Sequence, residues 1–527
     1  RGGRRPGPPG GVRGAGGATR QPALLSERGA GRERLPAGRP GRHPLPVLPS
    51  GGQPRSCCVA MRKPTEYTVS VSRSAPQRDG AGRGISCSVP PFPLAAPPRQ
   101  ASARVGLFSC RQDMLDYEEA LEHAAQLSRA VEAEDAELAR AALVPAWEAL
   151  EAGCHKALPG LPGHSLETSP PPQARFRAGW VYASMGTAGA ALLEKERKYG
   201  DAADALRCLL GGVCCPGRRG EWWLRLSIDC EHQGRAEEAL EVAEAALADD
   251  WVRSGDRVSL QRRVLRLGKP PRRWRAPAWA GLPACAALWE PREVVITGRP
   301  LGKTTGVKSA FMGFDGEQTT VEGLALQYYA AEEQGAWQGI HAEGGIWASL
   351  FGLLLWPALF DGSVPGAFVH AFQMAPLDLG TDGFWRARAG AIEAVLSDIR
   401  AGKAAEMLAD RWAASVGQRC AGVNWERATL EELLQIADCV GGDGLAAVCT
   451  LKAQDYGNWR SGMPDLLLWR PEHKDAKLVE VKGPRDRLSD QQRAWCCALT
   501  AGGLQVEVCK VEEPSTTRRR KRKNGTP

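Results

Sequence analysis

Residues 462–495 read GMPDLLLWRPEHKDAKLVEVKGPRDRLSDQQRAW, and this stretch decides the fold. Pro464-Asp465 leads the apolar run 466–469, which predicts a strand, and 477–482 (KLVEVK) predicts a second, with a short polar hairpin loop between them. Strand alternation puts Leu478, Glu480 and Lys482 on one face and Val479 and Val481 on the other. Pairing of the two strands brings Asp465 beside Glu480 and Lys482. Two carboxylates at that distance suit a hard divalent cation such as Mg²⁺ or Mn²⁺. A neighbouring lysine can orient or deprotonate a water, or neutralise charge on a pentavalent phosphorus.

Pro-Asp followed by Glu-x-Lys is the signature of metal-dependent nucleases. The alternative is an edge hairpin with a solvated charged face. Leu467, Leu468, Leu478, Val479 and Val481 speak against it, because they predict strands buried around the charges. Unpaired charge inside such a sheet is costly unless it binds an ion.

Working outward, the chain of 527 residues is too long for one core and predicts two or three domains. Residues 1–100 hold 17 Gly, 17 Pro and 17 Lys+Arg against 4 Asp+Glu, so 1–105 are expected to be a disordered leader. Without residues 1–100 and the run RRRKRK at 518–523, the remainder has 45 Lys+Arg against 56 Asp+Glu. The formal charge of +8 is therefore no sign of nucleic-acid binding, and such contact must come from local patches. The run 518–523, within a tail over 513–527, predicts nuclear import. The chain opens on Arg rather than Met, which predicts a fragment or an incomplete gene reading.

Other classes fall away. The longest apolar run, 346–360, is about 15 residues with Pro357 inside it, short of the ~20 that span a bilayer. No charged segment followed by an apolar core opens the chain, so secretion is unsupported. The 16 cysteines include no Cys-x-x-Cys, which argues against a zinc site and suits a reduced intracellular protein. EVVITGRPLGKTTG at 293–306 has only three residues between Gly298 and Gly302, and no amphipathic helix follows, so it is not a phosphate-binding P-loop.

Alanine, leucine and glutamate at helical spacing from Asp113 onward predict an all-α region. GDAADAL from Gly200 and GRAEEAL from Gly234 lie 34 residues apart, the period of a tetratricopeptide hairpin, although two Ala-rich helices could also align by chance.

The stretch GMPDLLLW…KLVEVKGPRDRLSDQQRAW…VEVCKV resembles the VRR-NUC module of the PD-(D/E)xK superfamily, and specifically the Fanconi-associated nuclease family, carboxy-terminal part. QGIHAEGGIWASLFGLLLW, AFQMAPLDL, TVEGLALQYY, RRGEWWLRLS and RSGDRVSLQRR extend the likeness over roughly 175–511. The resemblance implies an α/β restriction-endonuclease-like domain, a mixed sheet flanked by helices, at 291–512 with its core at about 395–511. An all-α helical-repeat-like domain at 106–290 would precede it.

The resemblance also implies Glu343, Asp465, Glu480 and the Val481 carbonyl as metal ligands, Asp465, Glu480 and Lys482 as catalytic residues, and Gln373 as active-site support. A 5′-phosphate pocket is implied at Arg487, Gln491 and Arg225. Gln491 stands where the family commonly has lysine and Asp256 where it has histidine; Arg219 and Arg257 are the nearest compensating cations. The implied function is a phosphodiesterase I-type enzyme: a structure-specific 5′-flap endonuclease and 5′→3′ exonuclease using Mg²⁺ or Mn²⁺, two ions together, in nuclear interstrand crosslink repair. Its implied partners are branched or crosslinked DNA and the Fanconi repair complex, although no Cys/His pattern of a ubiquitin-binding zinc finger is visible. The reading from another class is a helical-repeat adaptor with an inactive nuclease module.

Overall fold

Runs of alanine and leucine at helical spacing become antiparallel helices because small side chains let neighbours approach closely. The computed structural model describes residues 106–156 and 171–514, apart from 274, 283–284, 303–309 and 371. The expected leader and the run 518–523 lie outside the described residues.

Among the described residues, seven α-helices come first: α1 (Arg111–Glu132), α2 (Ala136–Glu151), α3 (Ala178–Lys195), α4 (Tyr199–Leu210), α5 (Arg219–His232), α6 (Ala236–Leu247) and α7 (Ser254–Leu267). Each packs on its neighbours in sequence. The two copies of the repeat fall at α4 and α6, where Leu206 and Leu240 are both buried. Gly189 shows how close the packing is: a Cβ there would lie 2.4 Å from the Trp147 ring.

The texture then changes. β1 (Arg292–Thr297) is followed by a small antiparallel sheet of β2 (Arg299–Pro300), β3 (Phe311–Met312) and β4 (Gln318–Thr319), then by α8 (Val321–Ala330) and β5 (Gln338–His341). Residues 303–309 lie outside the described residues, and the next described element after Gly302 is the strand β3, not a helix. Five helices come next: α9 (Gly345–Leu354), α10 (Trp356–Leu359), α11 (Asp382–Asp398), α12 (Ala404–Ser415) and α13 (Leu430–Gln454). The remaining elements are β6 (Leu466–Arg470), β7 (Asp475–Lys482), α14 (Asp490–Ala501) and β8 (Gln505–Glu512).

The main sheet runs in the order β1-β8-β7-β6-β5. β5, β6 and β7 are antiparallel neighbours, whereas β7, β8 and β1 are parallel. The sheet is mixed, and α14 supplies the crossover that parallel β7 and β8 need. Leu467, Trp469 and Leu478 pack with α9 and α13 on one face; Leu466, Leu468, Val479 and Val481 pack with α8 on the other. With both faces covered, the edge-hairpin alternative fails.

Helix α13, with 25 residues and a window of mean hydropathy 1.2, is long and apolar enough by length and composition alone to cross a membrane. It turns at Gly441 (φ 76°) and buries Leu433, Ile436, Leu445 and Val448, so it serves as a core helix. The run 346–360 splits into α9 and α10 and is likewise largely buried.

Candidate active site at the β6–β7 pair

The strand register places the site. Leu466 pairs with Val479, so Asp465, one residue earlier, stands opposite Glu480. Its Oδ2 accepts a hydrogen bond from Val481 N at 2.9 Å. Its carbonyl accepts from Ala342 N at 2.7 Å and from Glu343 N at 3.4 Å, which ties the β5–α9 link to the start of β6. That link bends through Glu343 (φ 37°) and Gly344 (φ 77°), and the left-handed conformation at 344 suits glycine.

Glu480 is fully buried. Its Oε1 lies 2.7 Å from Lys482 Nζ and also accepts from the Gln492 side-chain amide, while Oε2 is buried with no hydrogen-bond partner. Burial, and then the neighbouring Asp465 carboxylate, push the Glu480 carboxyl up to about 8, against the pull of Lys482. Burial also raises Asp465, opposed by its bond from Val481 N and by Lys482. Lys482 Nζ donates a second bond, to Gln492 Oε1 at 3.1 Å. Three side chains therefore share one buried network.

The donor set fits a hard cation. Two adjacent carboxyls driven toward neutrality, one with an unpartnered oxygen, are what a divalent charge would reverse. Among the described residues no three His, Cys, Asp or Glu side chains are grouped as ligands. The Glu343 carboxylate is exposed and faces His341 Nε2 at 3.4 Å, although its backbone is bonded to Asp465.

Gln492 was not anticipated. Ser489-x-x-Gln492 forms a capping box at the start of α14, a pattern readable in the sequence. The same amide that closes the cap reaches Glu480 and Lys482.

The resemblance-based residues fare unevenly. Gln373 is taken up in its own loop, accepting from Val369 N and His370 N and donating to the Ala367 and Ala375 carbonyls, and among the described residues it makes no bond to Asp465, Glu480 or Lys482. Arg225 is bound to Glu194 on α3 through two bonds of 2.8 and 2.5 Å, so its guanidinium is already paired with a carboxylate. Arg219 is buried against Asp249 at 2.7 Å and cannot compensate for a missing cation elsewhere.

Arg487 is exposed in the β7–α14 turn, with no ion pair among the described residues. Gln491 bonds only backbone groups: its Oε1 accepts from Gly255 N, and its Nε2 donates to the Asn458 and Ser461 carbonyls. Asp256 packs on the start of α5, its Oδ2 only 2.6 Å from where a Cβ on Gly220 would lie. Arg257 is exposed beside a cavity of about 540 Å³, between α7 and helices α11 and α13, that Arg253, Trp385, Arg386 and Trp459 also line.

Residues 399–513 match the VRR-NUC domain family, and residues 113–268 match the TPR domain of Fanconi-associated nuclease 1. A Fanconi-associated nuclease 1 homolog of Oryza sativa is 45% identical over 412 residues, covering 77% of this chain and 42% of the relative. The chain belongs to the Fanconi-associated nuclease family. A mouse member, Fanconi-associated nuclease 1, is 38% identical over 424 residues, covering 77% of this chain and 40% of the relative. The chain thus spans less than half the length of these curated family members. A crystal structure of paFAN1 bound to 2nt 5′flap DNA with gap aligns with a TM-score of 0.53 and 26% identity, covering 70% of this chain and 61% of that one. The family's two halves, a TPR-like helical region and a mixed-sheet nuclease domain, are the two halves described above.

Proposed function

We propose that this chain is a metal-dependent, structure-specific DNA nuclease, a hydrolase of phosphodiester bonds. The observation that carries the reading is the β6–β7 cluster: Asp465 and Glu480 side by side, one carboxylate oxygen unpartnered, and Lys482 against them.

Asp465 and Glu480, with the Val481 carbonyl and Glu343 drawn in, would hold Mg²⁺ or Mn²⁺, two ions in the fuller form. A cation bound there supplies Lewis-acid polarisation of the scissile phosphate. Lys482, held by Glu480 and Gln492, presents its ammonium to the attacking water or to the charge that builds on phosphorus. The sheet buries the carboxyls, so each charge acts in a medium where it counts for more than in water.

The substrate reading is a 5′ flap, cut endonucleolytically and trimmed 5′→3′ in a phosphodiesterase I-type reaction, within interstrand crosslink repair. It is supported by family membership and by the likeness to paFAN1 bound to flap DNA. The partners would be branched DNA and the Fanconi repair machinery, and the run 518–523 would direct the chain to the nucleus. A fluorescent fusion lacking 518–523 that still concentrates in nuclei would remove that last assignment.

The deciding experiment is cleavage of a labelled 5′-flap duplex with Mg²⁺ or Mn²⁺ against a chelator control. Metal-dependent cutting near the flap base is expected. No cutting with either ion would leave the helical-repeat adaptor with an inactive nuclease module, a reading favoured by the outward turn of Glu343 toward His341.

A further inference from the structure

We propose that the first turn of α14 is a mechanical relay between the helical module and the catalytic strand, with Gln492 the positioning residue for Lys482 and Glu480 and Gln491 its anchor. The inference rests on the nuclease reading of the β6–β7 cluster and deepens it.

Three consecutive side chains divide the work. Asp490 faces α7: its carboxylate accepts from Ser259 Oγ and from Arg262 Nη1, both at 2.6 Å. Gln491 reaches α7 and the chain entering β6 together. Its Oε1 accepts from Gly255 N at 2.9 Å, and its Nε2 donates to the Asn458 carbonyl at 2.7 Å and the Ser461 carbonyl at 3.3 Å. Gln492 faces the other way, donating to Glu480 and accepting from Lys482 Nζ.

Gly255, Ser259 and Arg262 lie at i, i+4 and i+7, one face of α7, so the helical module grips α14 along a single stripe. The fit leaves little slack. A Cβ on Gly255 would sit 2.7 Å from Gln491 Oε1, and one on Gly462 would sit 2.7 Å from Gln491 Cγ. The turn ahead of Asp465 is fastened from two further sides, by Lys452 Nζ on the Trp459 carbonyl at 3.1 Å and Trp495 Nε1 on the Ser461 carbonyl at 2.9 Å.

Both carboxylate-bearing strands are therefore referenced to α7 through one helical turn. β6 is referenced through Gln491 and the 458–461 carbonyls, and β7 through Gln492. An interface that served only to glue the two halves could sit anywhere along α14. This one uses the residues adjoining the side chain that holds Lys482. The Ser489 cap fixes the phase of the turn, so displacement of α7 cannot be absorbed by sliding 490 and 491 without moving 492. A load on the helical module is felt at Lys482 Nζ.

The test uses the full chain and a labelled 5′-flap duplex in single-turnover cleavage with Mg²⁺, with flap binding measured in chelator. Gln492→Ala and Gln491→Ala are each expected to lower the cleavage rate at least 10-fold while flap affinity stays within about twofold. The double variant should be no slower than Gln492→Ala alone, because both act through one turn. Ser259→Ala should lower the rate about threefold. Hydrogen exchange gives a readout independent of cutting: segments 458–465 and 479–488 should exchange faster in Gln491→Ala, at an unchanged melting temperature.

Wild-type cutting by Gln491→Ala, or losses in the double variant that multiply, would overturn the relay, as would unchanged exchange in those segments. If the unsubstituted chain cuts nothing, the nuclease reading fails by itself and the exchange measurement still decides the relay.

Discussion

Asp229 in the helical half and Glu480 in the sheet are built from the same parts and come out differently. Each is a fully buried carboxyl beside a second carboxylate and one cation: Glu194 with Arg225 for the first, Asp465 with Lys482 for the second. Burial, then the neighbouring carboxylate, raises Asp229 to about 7 and Glu480 to about 8. In the helical half the cation is fully engaged, because the Arg225 fork closes on both oxygens of Glu194. Asp229 is left within packed helices, where burial and the nearby Glu194 carboxylate keep its proton on to higher pH than in an exposed aspartate.

In the sheet, the compact ammonium of Lys482 is shared between Glu480 and an amide, and the neighbouring Asp465 is only half-buried. A raised carboxyl is thus no marker of a site. The marker is a raised carboxyl that a ligand can reach, beside a cation still able to act.

The largest break in this symmetry is expected in catalysis. Asp465→Ala or Lys482→Ala should lower single-turnover flap cleavage by about 10²–10⁴-fold. Flap affinity in chelator should be largely kept, since phosphate contacts elsewhere supply most of it. Comparable cutting by either variant would sink the assignment.

Next comes metal linkage. Mn²⁺ at a hundredfold excess over its dissociation constant should stabilise the unsubstituted chain by about 2.7 kcal/mol. Thermal melts of Glu480→Gln should show little of that gain, and an equal upward shift in both proteins would place the ion elsewhere.

A third comparison sets Arg487 against Arg225. A charge-assisted phosphate contact contributes about 1.5–3 kcal/mol, so Arg487→Ala should shrink the rate ratio between 5′-phosphorylated and 5′-hydroxyl flaps. Arg225→Ala should lower the melting temperature and leave that ratio alone. The reverse pattern would place Arg225, rather than Arg487, at the phosphate.

The smallest effect concerns Asp229→Asn. The folded-state value of Asp229 is raised, so the native state binds its proton more tightly than the unfolded chain does, and stability is lost as pH rises from about 4 to about 7. The asparagine variant carries no such loss. Its stability advantage should be larger at pH 8 than at pH 5, on the order of 1–2 kcal/mol. An advantage equal at both pH values would mean that burial does not hold this carboxyl neutral.

Much of the cluster was legible because it rests on period two. Glu480 and Lys482 share a face by alternation alone, and the apolar residues around them foretold a strand pair buried on both sides. The antiparallel register then brings Asp465 within reach of Val481 N. Gln492 was not read, because its reach to Glu480 depends on where α14 starts and how it packs, although the capping pattern marked that start. Gln373 and Arg225 were read from likeness rather than from chemistry, and local partners claim both: an amide satisfies itself within its own loop, and a guanidinium takes the nearest carboxylate. Neither preference shows in a motif.

The sheet order has a consequence for how such a chain is made. β8 lies between β1 and β7, and of the strands in this sheet it is the last to be synthesised among the described residues. The helical module closes through contacts between neighbours in sequence and can form as it emerges. The five-stranded sheet cannot. Until residues 505–512 arrive, β1 has no partner in this sheet, and the edge of β7 that pairs with β8 presents unpaired backbone to any other chain. The sheet around Asp465 and Glu480 is therefore completed only once β8 is made, after a window in which two bare strand edges invite aggregation.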